Sequence, residues 1–242
     1  MERRLKTPAL SKIWLIARRL LYQNRWIYLF LMLWPFGMAA ILLLPAGTPE
    51  IDDVLSIVHQ ECLYGLGLVA FTGGALLGNE QRSRRIAGVL SRAVSRRQYF
   101  FALASAAWLP LALYVVSFSI SGFALFAVIH QPPALLLALS LAQLVLGLFT
   151  AAAAVFFATW LPMMLASTAS LALLALLGFL GYLWPGFAPA RLLFTLTQGD
   201  LVEAARLLHQ PAGFLLIILG AALLFAAGSA IFERRDLKLK SD

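Results

Sequence analysis

Glu80-Gln-Arg-Ser-Arg-Arg-Ile-Ala-Gly-Val-Leu-Ser-Arg-Ala-Val-Ser-Arg-Arg97 places six arginines between two long apolar runs. Charge is scarce elsewhere: the 242-residue chain is 12% charged and 62% hydrophobic, with mean hydropathy +0.86. A soluble domain carries about 25% charged residues and roughly 45–50% apolar ones. Apolar stretches of about 20 residues, the length that crosses a bilayer, recur on both sides of the arginine run. The chain therefore reads as an all-α polytopic membrane protein.

Working outward, six spans are expected: Trp26–Leu44, Ile57–Gly78, Tyr99–Ile129, Leu135–Trp160, Met163–Trp184 and Ala212–Phe232. The third exceeds a hydrocarbon core of about 30 Å, so it should tilt, kink at Pro110 or project from the bilayer. Pro35 should kink the first. The N-terminal residues before it show no convincing cleavage site, so the first apolar run reads as a retained span.

The basic residues fix an orientation. Arg3, Arg4, Lys6, Lys12, Arg18, Arg19 and Arg25 precede the first span, six arginines lie in the quoted run, and Arg234, Arg235, Lys238 and Lys240 follow the last. A six-span chain puts all of these on one face, leaving only Arg191 and Arg206 on the other. That asymmetry predicts both termini in the cytoplasm and insertion in the cell's inner (cytoplasmic) membrane. Five or seven spans would split the basic segments between faces. The net charge of +8 thus needs no nucleic acid; anionic headgroups suffice. Trp26, Trp160 and Trp184 fall at span ends, as interfacial anchors do, whereas Trp34 and Trp108 lie deeper and are expected to pack between helices.

Residues 10–25 form an amphipathic pattern at 100° per residue. Leu10, Ile13, Trp14, Ile16, Ala17, Leu20 and Leu21 gather on one face, and Lys12, Arg18, Arg19, Gln23 and Arg25 on the other. A basic amphipathic helix lies in the membrane interface. It serves either as a topological anchor or as a lever to a cytoplasmic partner. Residues 80–92 read as a second short helix, with Ile86, Val89 and Leu90 on one face and a favourable Glu80–Arg84 spacing on the other. Gly88 weakens it, which fits close approach of another backbone. Ser95 is placed to cap the next span.

Catalytic motifs are absent from the sequence. There is no Gly-x-x-x-x-Gly-Lys-Ser/Thr and no His-Glu-x-x-His, nor a Gly-x-Ser-x-Gly, so the chain is read as a non-enzyme. Cys62 is the single cysteine, which excludes an internal disulfide. His59, His130 and His209 map to the outer face, with Glu61 near His59; ordinary interfacial histidines outweigh a metal site there, and no metal is assigned. An intramembrane enzyme would have only Glu61 and His59 to draw on. Glu61, just inside its span, either snorkels to the outer interface, the favoured reading, or meets a substrate. Gln143, Ser117, Ser167, Thr168 and Ser170 more commonly bond between helices than line a pathway. Glu61, Gln143, Ser167 and Thr168 are the candidates for a substrate path. Gly74-Ala-Leu-Leu-Gly78 matches the small-x-x-x-small packing pattern.

Taken in order, these features resemble the membrane subunits of ABC transporters of the type-2 exporter class. That family has an amphipathic cytoplasmic helix, six spans, and a coupling helix between spans two and three. The matching residues here are Glu80, Arg82 or Arg84, Gly88, Leu90, Ser95 and Arg96, with Arg85 in the same segment. The family's frequent proline before Ser-Arg is missing, and Ala93-Val94 stands in its place. Phe232-Glu233-Arg234-Arg235-Asp236-Leu237 is similar to the usual family ending. Residues 186–210, with the amphipathic Leu201–Leu208 stretch, are similar to its outer re-entrant element. The resemblance implies a cytoplasmic helix at 1–25, a transmembrane domain at 26–232 with a coupling helix at 80–97, and a tail at 233–242. It also implies P-loop ATPase subunits that carry ATP and Mg, a second membrane subunit (an identical copy or a paralogue), and no cofactor on this chain. The alternative is a non-transport membrane scaffold or assembly component, with a tolerant 80–97 segment. The substrate is not legible.

Overall fold

The computed structural model describes residues 9–23, 25–44, 49–82, 95–200, 203, 206 and 211–234, apart from the side chains of 9–12, 79–82 and 211. Among them are eight helices: α1 Ala9–Gln23, α2 Arg25–Leu43, α3 Ile51–Arg82, α4 Arg96–Val128, α5 Pro133–Ala158, α6 Met163–Leu183, α7 Ala188–Gln198 and α8 Pro211–Arg234. Six of them are long and apolar enough to cross a membrane. The chain is a polytopic helical membrane protein, and its spans fall within a few residues of those read from hydropathy.

Two differences are informative. α3 begins at Ile51, ahead of the expected Ile57, because Asp52 and Asp53 sit in its first turn. Acidic side chains there complement the positive end of the helix and extend it rather than cap a loop. α3 also runs without a break through Gly78 to Arg82. Glu80 and Arg82 are therefore continuous with α3, as suits Glu, Gln and Arg, which are good helix formers. The rest of that expected helix, with Arg84, Arg85, Gly88 and Leu90, lies outside the described residues. Two helices, not one, thus exceed the bilayer: α3 with 32 residues and α4 with 33 are about 48–50 Å long at roughly 1.5 Å per residue.

α3, α4 and α5 form the packed centre, and α2, α6 and α8 lie around it with more of their surface open. Small residues set the approach. Gly74 and Gly78 bring α3 against the start of α6, where a Cβ on Gly74 would meet the Ser167 hydroxyl and stand 3.0 Å from the Met163 carbonyl. The small-x-x-x-small pattern therefore packs α3 on α6. Interhelical hydrogen bonds tie α4 to α5, from Trp108 Nε1 to the Leu144 carbonyl at 3.1 Å and between Ser119 and Ser140 at 2.9 Å. Pro110 leaves the Ala106 carbonyl without its helical donor. The Thr72 hydroxyl of α3 reaches the adjacent Ala107 carbonyl at 3.5 Å.

α1 packs on α4 through buried Ala17 and Leu20, with Ile13, Ile16 and Leu21 half-buried beside them. Trp14, expected on the same face, is exposed. At the start of α4, Ser95 forms a capping box. Its hydroxyl accepts from Gln98 N–H, and its own N–H donates to Gln98 Oε1, both at 3.2 Å. Arg96 donates to the Glu233 carbonyl at 2.8 Å, and Phe232 is buried against Tyr99 and Phe100. These contacts join the first turn of α4 to the last turn of α8 at one end of the bundle.

At the other end α7 folds back on α6. A Cβ on Gly181 would overlap the Ala190 carbonyl, so glycine permits the contact. α7 buries Leu192, Leu193 and Leu196 and stops at Gly199, whose φ of 78° is the left-handed closure that favours glycine. It lies within the expected 186–210 element, upstream of the Leu201–Leu208 stretch, most of which is outside the described residues.

Candidate functional site

Glu61, Tyr114 and Gln143 meet in the middle of the bundle, one from each central helix. Glu61 is ten residues from the start of α3, and Gln143 ten from the start of α5, which is about 15 Å along each axis. Tyr114 comes from the middle third of α4. The preference for snorkelling is corrected. Glu61 is 3% exposed and its carboxyl faces Tyr114, so it is packed inside the bundle rather than turned out to the interface.

The Tyr114 hydroxyl donates to Glu61 Oε2 and lies 3.1 Å from the Glu61 carbonyl. The Gln143 amide donates to the carbonyls of Glu61 and Cys62 at 3.2 and 3.3 Å. Gly65 makes this possible: a Cβ there would overlap the Gln143 amide nitrogen and stand 3.1 Å from Leu111. Two acceptor oxygens in the cluster, Glu61 Oε1 and Gln143 Oε1, are buried without a donor. The Trp34 indole approaches the Glu61 carboxyl from α2 without completing a bond to Oε1.

No countercharge is at hand. Neither Lys nor Arg occurs between Arg25 and Arg82 or between Arg97 and Arg191. A carboxyl buried in a bilayer is neutralised by a proton or a cation, because an isolated charge there is too costly.

Beside the cluster is a cavity of about 590 Å³ between α2 and α3, walled by Trp34, Tyr64, Phe30, Phe71 and Tyr114 among others. Trp34 and Tyr64 meet edge to face at 6.4 Å. α2 and α3 touch sparsely, so the cavity opens sideways between them.

The four candidate path residues divide. Glu61 and Gln143 come together. Ser167 bonds its own helix at Met163 and faces Gly74, thirteen residues from Glu61 and so about 20 Å along α3. Thr168 bonds Met164 and faces outward. Tyr114 was missed by sequence reading; a tyrosine inside an apolar span, with a hydroxyl that needs a partner, was the available signal. Of the residues that the family resemblance would assign to coupling, Ser95 caps α4 and Arg96 bonds α8. His59 and Glu61 turn apart: the His59 ring lies against Gly199 of α7, while Glu61 faces Tyr114. His130 forms the turn between α4 and α5 with φ 55°. Among the described residues, no three His, Cys, Asp or Glu side chains group as metal ligands would.

Comparison with protein-family models, with curated proteins and with solved structures gives no match.

Proposed function

We propose that the chain is the transmembrane permease subunit of an ATP-driven ABC exporter of the type-2 class. It lies in the cytoplasmic membrane with both termini inside and works beside a second membrane subunit and separate P-loop ATPases. The observation that carries this reading is the setting of residues 80–97. They join the two longest helices, α3 and α4, whose length exceeds the bilayer, and their exit is fixed by the Ser95 cap and the Arg96–Glu233 bond. A basic segment so mounted transmits movement to the central helices that hold Glu61 and Tyr114. An amphipathic α1, six spans and a short α7 before the last span complete the family's order. The ATPases would drive the change through their different affinities for two states of the membrane subunits.

The test is copurification. An affinity-tagged chain extracted from its native membrane is expected to retain a P-loop ATPase subunit, and consistent purification without one overturns the reading. Gly88→Leu and Glu80→Lys are expected to insert normally and to lower ATPase retention about tenfold, the effect of about 1.4 kcal/mol at the docking surface. Unchanged retention and transport in both variants would remove residues 80–97 from the coupling role.

A further inference from the structure

We infer that the cavity between α2 and α3 binds an amphipathic organic cation, with Glu61 as its countercharge. Binding itself does not depend on the exporter reading; that the ligand is the transported cargo rests on it.

Three observations converge. The first is the cavity's chemistry. Its wall is aromatic and aliphatic, and its volume of about 590 Å³ lies within the range of about 300–1,000 Å³ typical of small-molecule sites. Faces of Trp, Tyr and Phe attract a desolvated cation. The second is the carboxyl behind that wall. Trp34 and Tyr114 line the cavity, and the Tyr114 hydroxyl donates to the Glu61 carboxyl. Glu61 is 3% exposed with Oε1 lacking a donor, so its charge stands one ring away from the ligand space. In a buried, low-dielectric setting that attraction is less screened than at a surface. The third is the missing partner: the spans around Glu61 contain no Lys or Arg.

A proton alone would neutralise Glu61 and leave the aromatic cavity unrelated to it. An inorganic cation wants several oxygens around it, and this wall offers mostly carbon. A hydrophobic cation uses both features. The opening is also in the right place, since Phe30, Tyr64 and Phe71 are half or more exposed along the sparse α2–α3 seam. A ligand dissolved in the bilayer thus enters sideways.

The experiment uses the full chain in phosphatidylcholine nanodiscs, titrated with tetraphenylphosphonium and with tetraphenylborate, two ions of similar shape and opposite charge, against empty discs. Saturable binding of the phosphonium is expected, with the borate weaker by about tenfold or more. Glu61→Gln is expected to remove most of that preference while the chain keeps its unfolding temperature. Gly67→Leu provides a second variant. A Cβ at Gly67 meets nothing within 4 Å, and the residue lines the cavity, so leucine fills the space without straining the bundle and should abolish phosphonium binding. Equal binding of the two ions overturns the inference. So does an unchanged preference in Glu61→Gln, or binding that survives Gly67→Leu. A cavity filled by lipid chains or by a second copy of the chain would bind neither ion, which also overturns it. ATPase copurification without phosphonium binding removes this inference and leaves the exporter reading standing; the reverse result does the opposite.

Discussion

Gly65→Leu is expected to cost roughly 3–5 kcal/mol, from overpacking and from the bonds it breaks, and to strip most folded protein from a mild-detergent extract. The leucine Cβ would occupy the position of the Gln143 amide nitrogen, and Leu111 blocks the other side at 3.1 Å. Gln143 cannot move without releasing the Glu61 and Cys62 carbonyls. Native stabilities are about 5–15 kcal/mol, so this loss is a large fraction of the total. Gly67, two residues on, is the control. A Cβ there meets nothing, and Gly67→Leu should leave the unfolding midpoint within the small range of ordinary surface changes, about 0.5 kcal/mol. Thermal unfolding followed by size-exclusion chromatography measures both. Equal behaviour of the two variants would mean that the α3–α5 approach is not fixed by Gly65.

Tyr114→Phe should cost about 1–3 kcal/mol, more than the roughly 0.6 kcal/mol average for a hydrogen bond between membrane helices. The difference arises because the hydroxyl is the donor on Glu61 Oε2 while Oε1 already has none. Removing it leaves a buried carboxyl without a hydrogen-bond donor. Glu61→Gln should be nearly neutral, since an amide keeps the shape and still accepts from Tyr114. In that background the cost of Tyr114→Phe should fall toward the average for a neutral bond. The double-mutant cycle, read from reversible unfolding in mixed micelles, is therefore expected to show a coupling of about 1–2 kcal/mol. Strict additivity would show that Tyr114 and Glu61 do not depend on each other.

The spans were legible because a bilayer demands a run of apolar residues, and hydropathy reports that demand directly. Ser95 was legible as a cap because capping is local: hydroxyl and amide are three residues apart. The polar cluster was not legible as a cluster. Tyr114 and Gln143 stand 53 and 82 residues from Glu61, and no sequence period relates positions on three different helices. The start of α3 was also missed, since Asp52 and Asp53 looked like loop when they are its first turn. A charge near a span end is ambiguous between loop and helix cap, and the inward turn of Glu61 was hidden because its partner stands on another helix. Gly65 carried no signal of its own. Its importance comes from a glutamine on another helix.

The clasp between Arg96 and Glu233 has a consequence in time. The two residues are 137 positions apart, and at a translation rate of about 5–20 residues per second the second is made roughly 7–27 s after the first. Throughout that interval the nascent α4 has its Ser95 cap but not its bond to α8. The contacts of Phe232 and Glu233 with the start of α4 form only when the last span arrives. A chain that stops short of Glu233 therefore lacks the α8 side of this clasp, and the joining of α4 to α8 is among the last contacts that the order of synthesis allows.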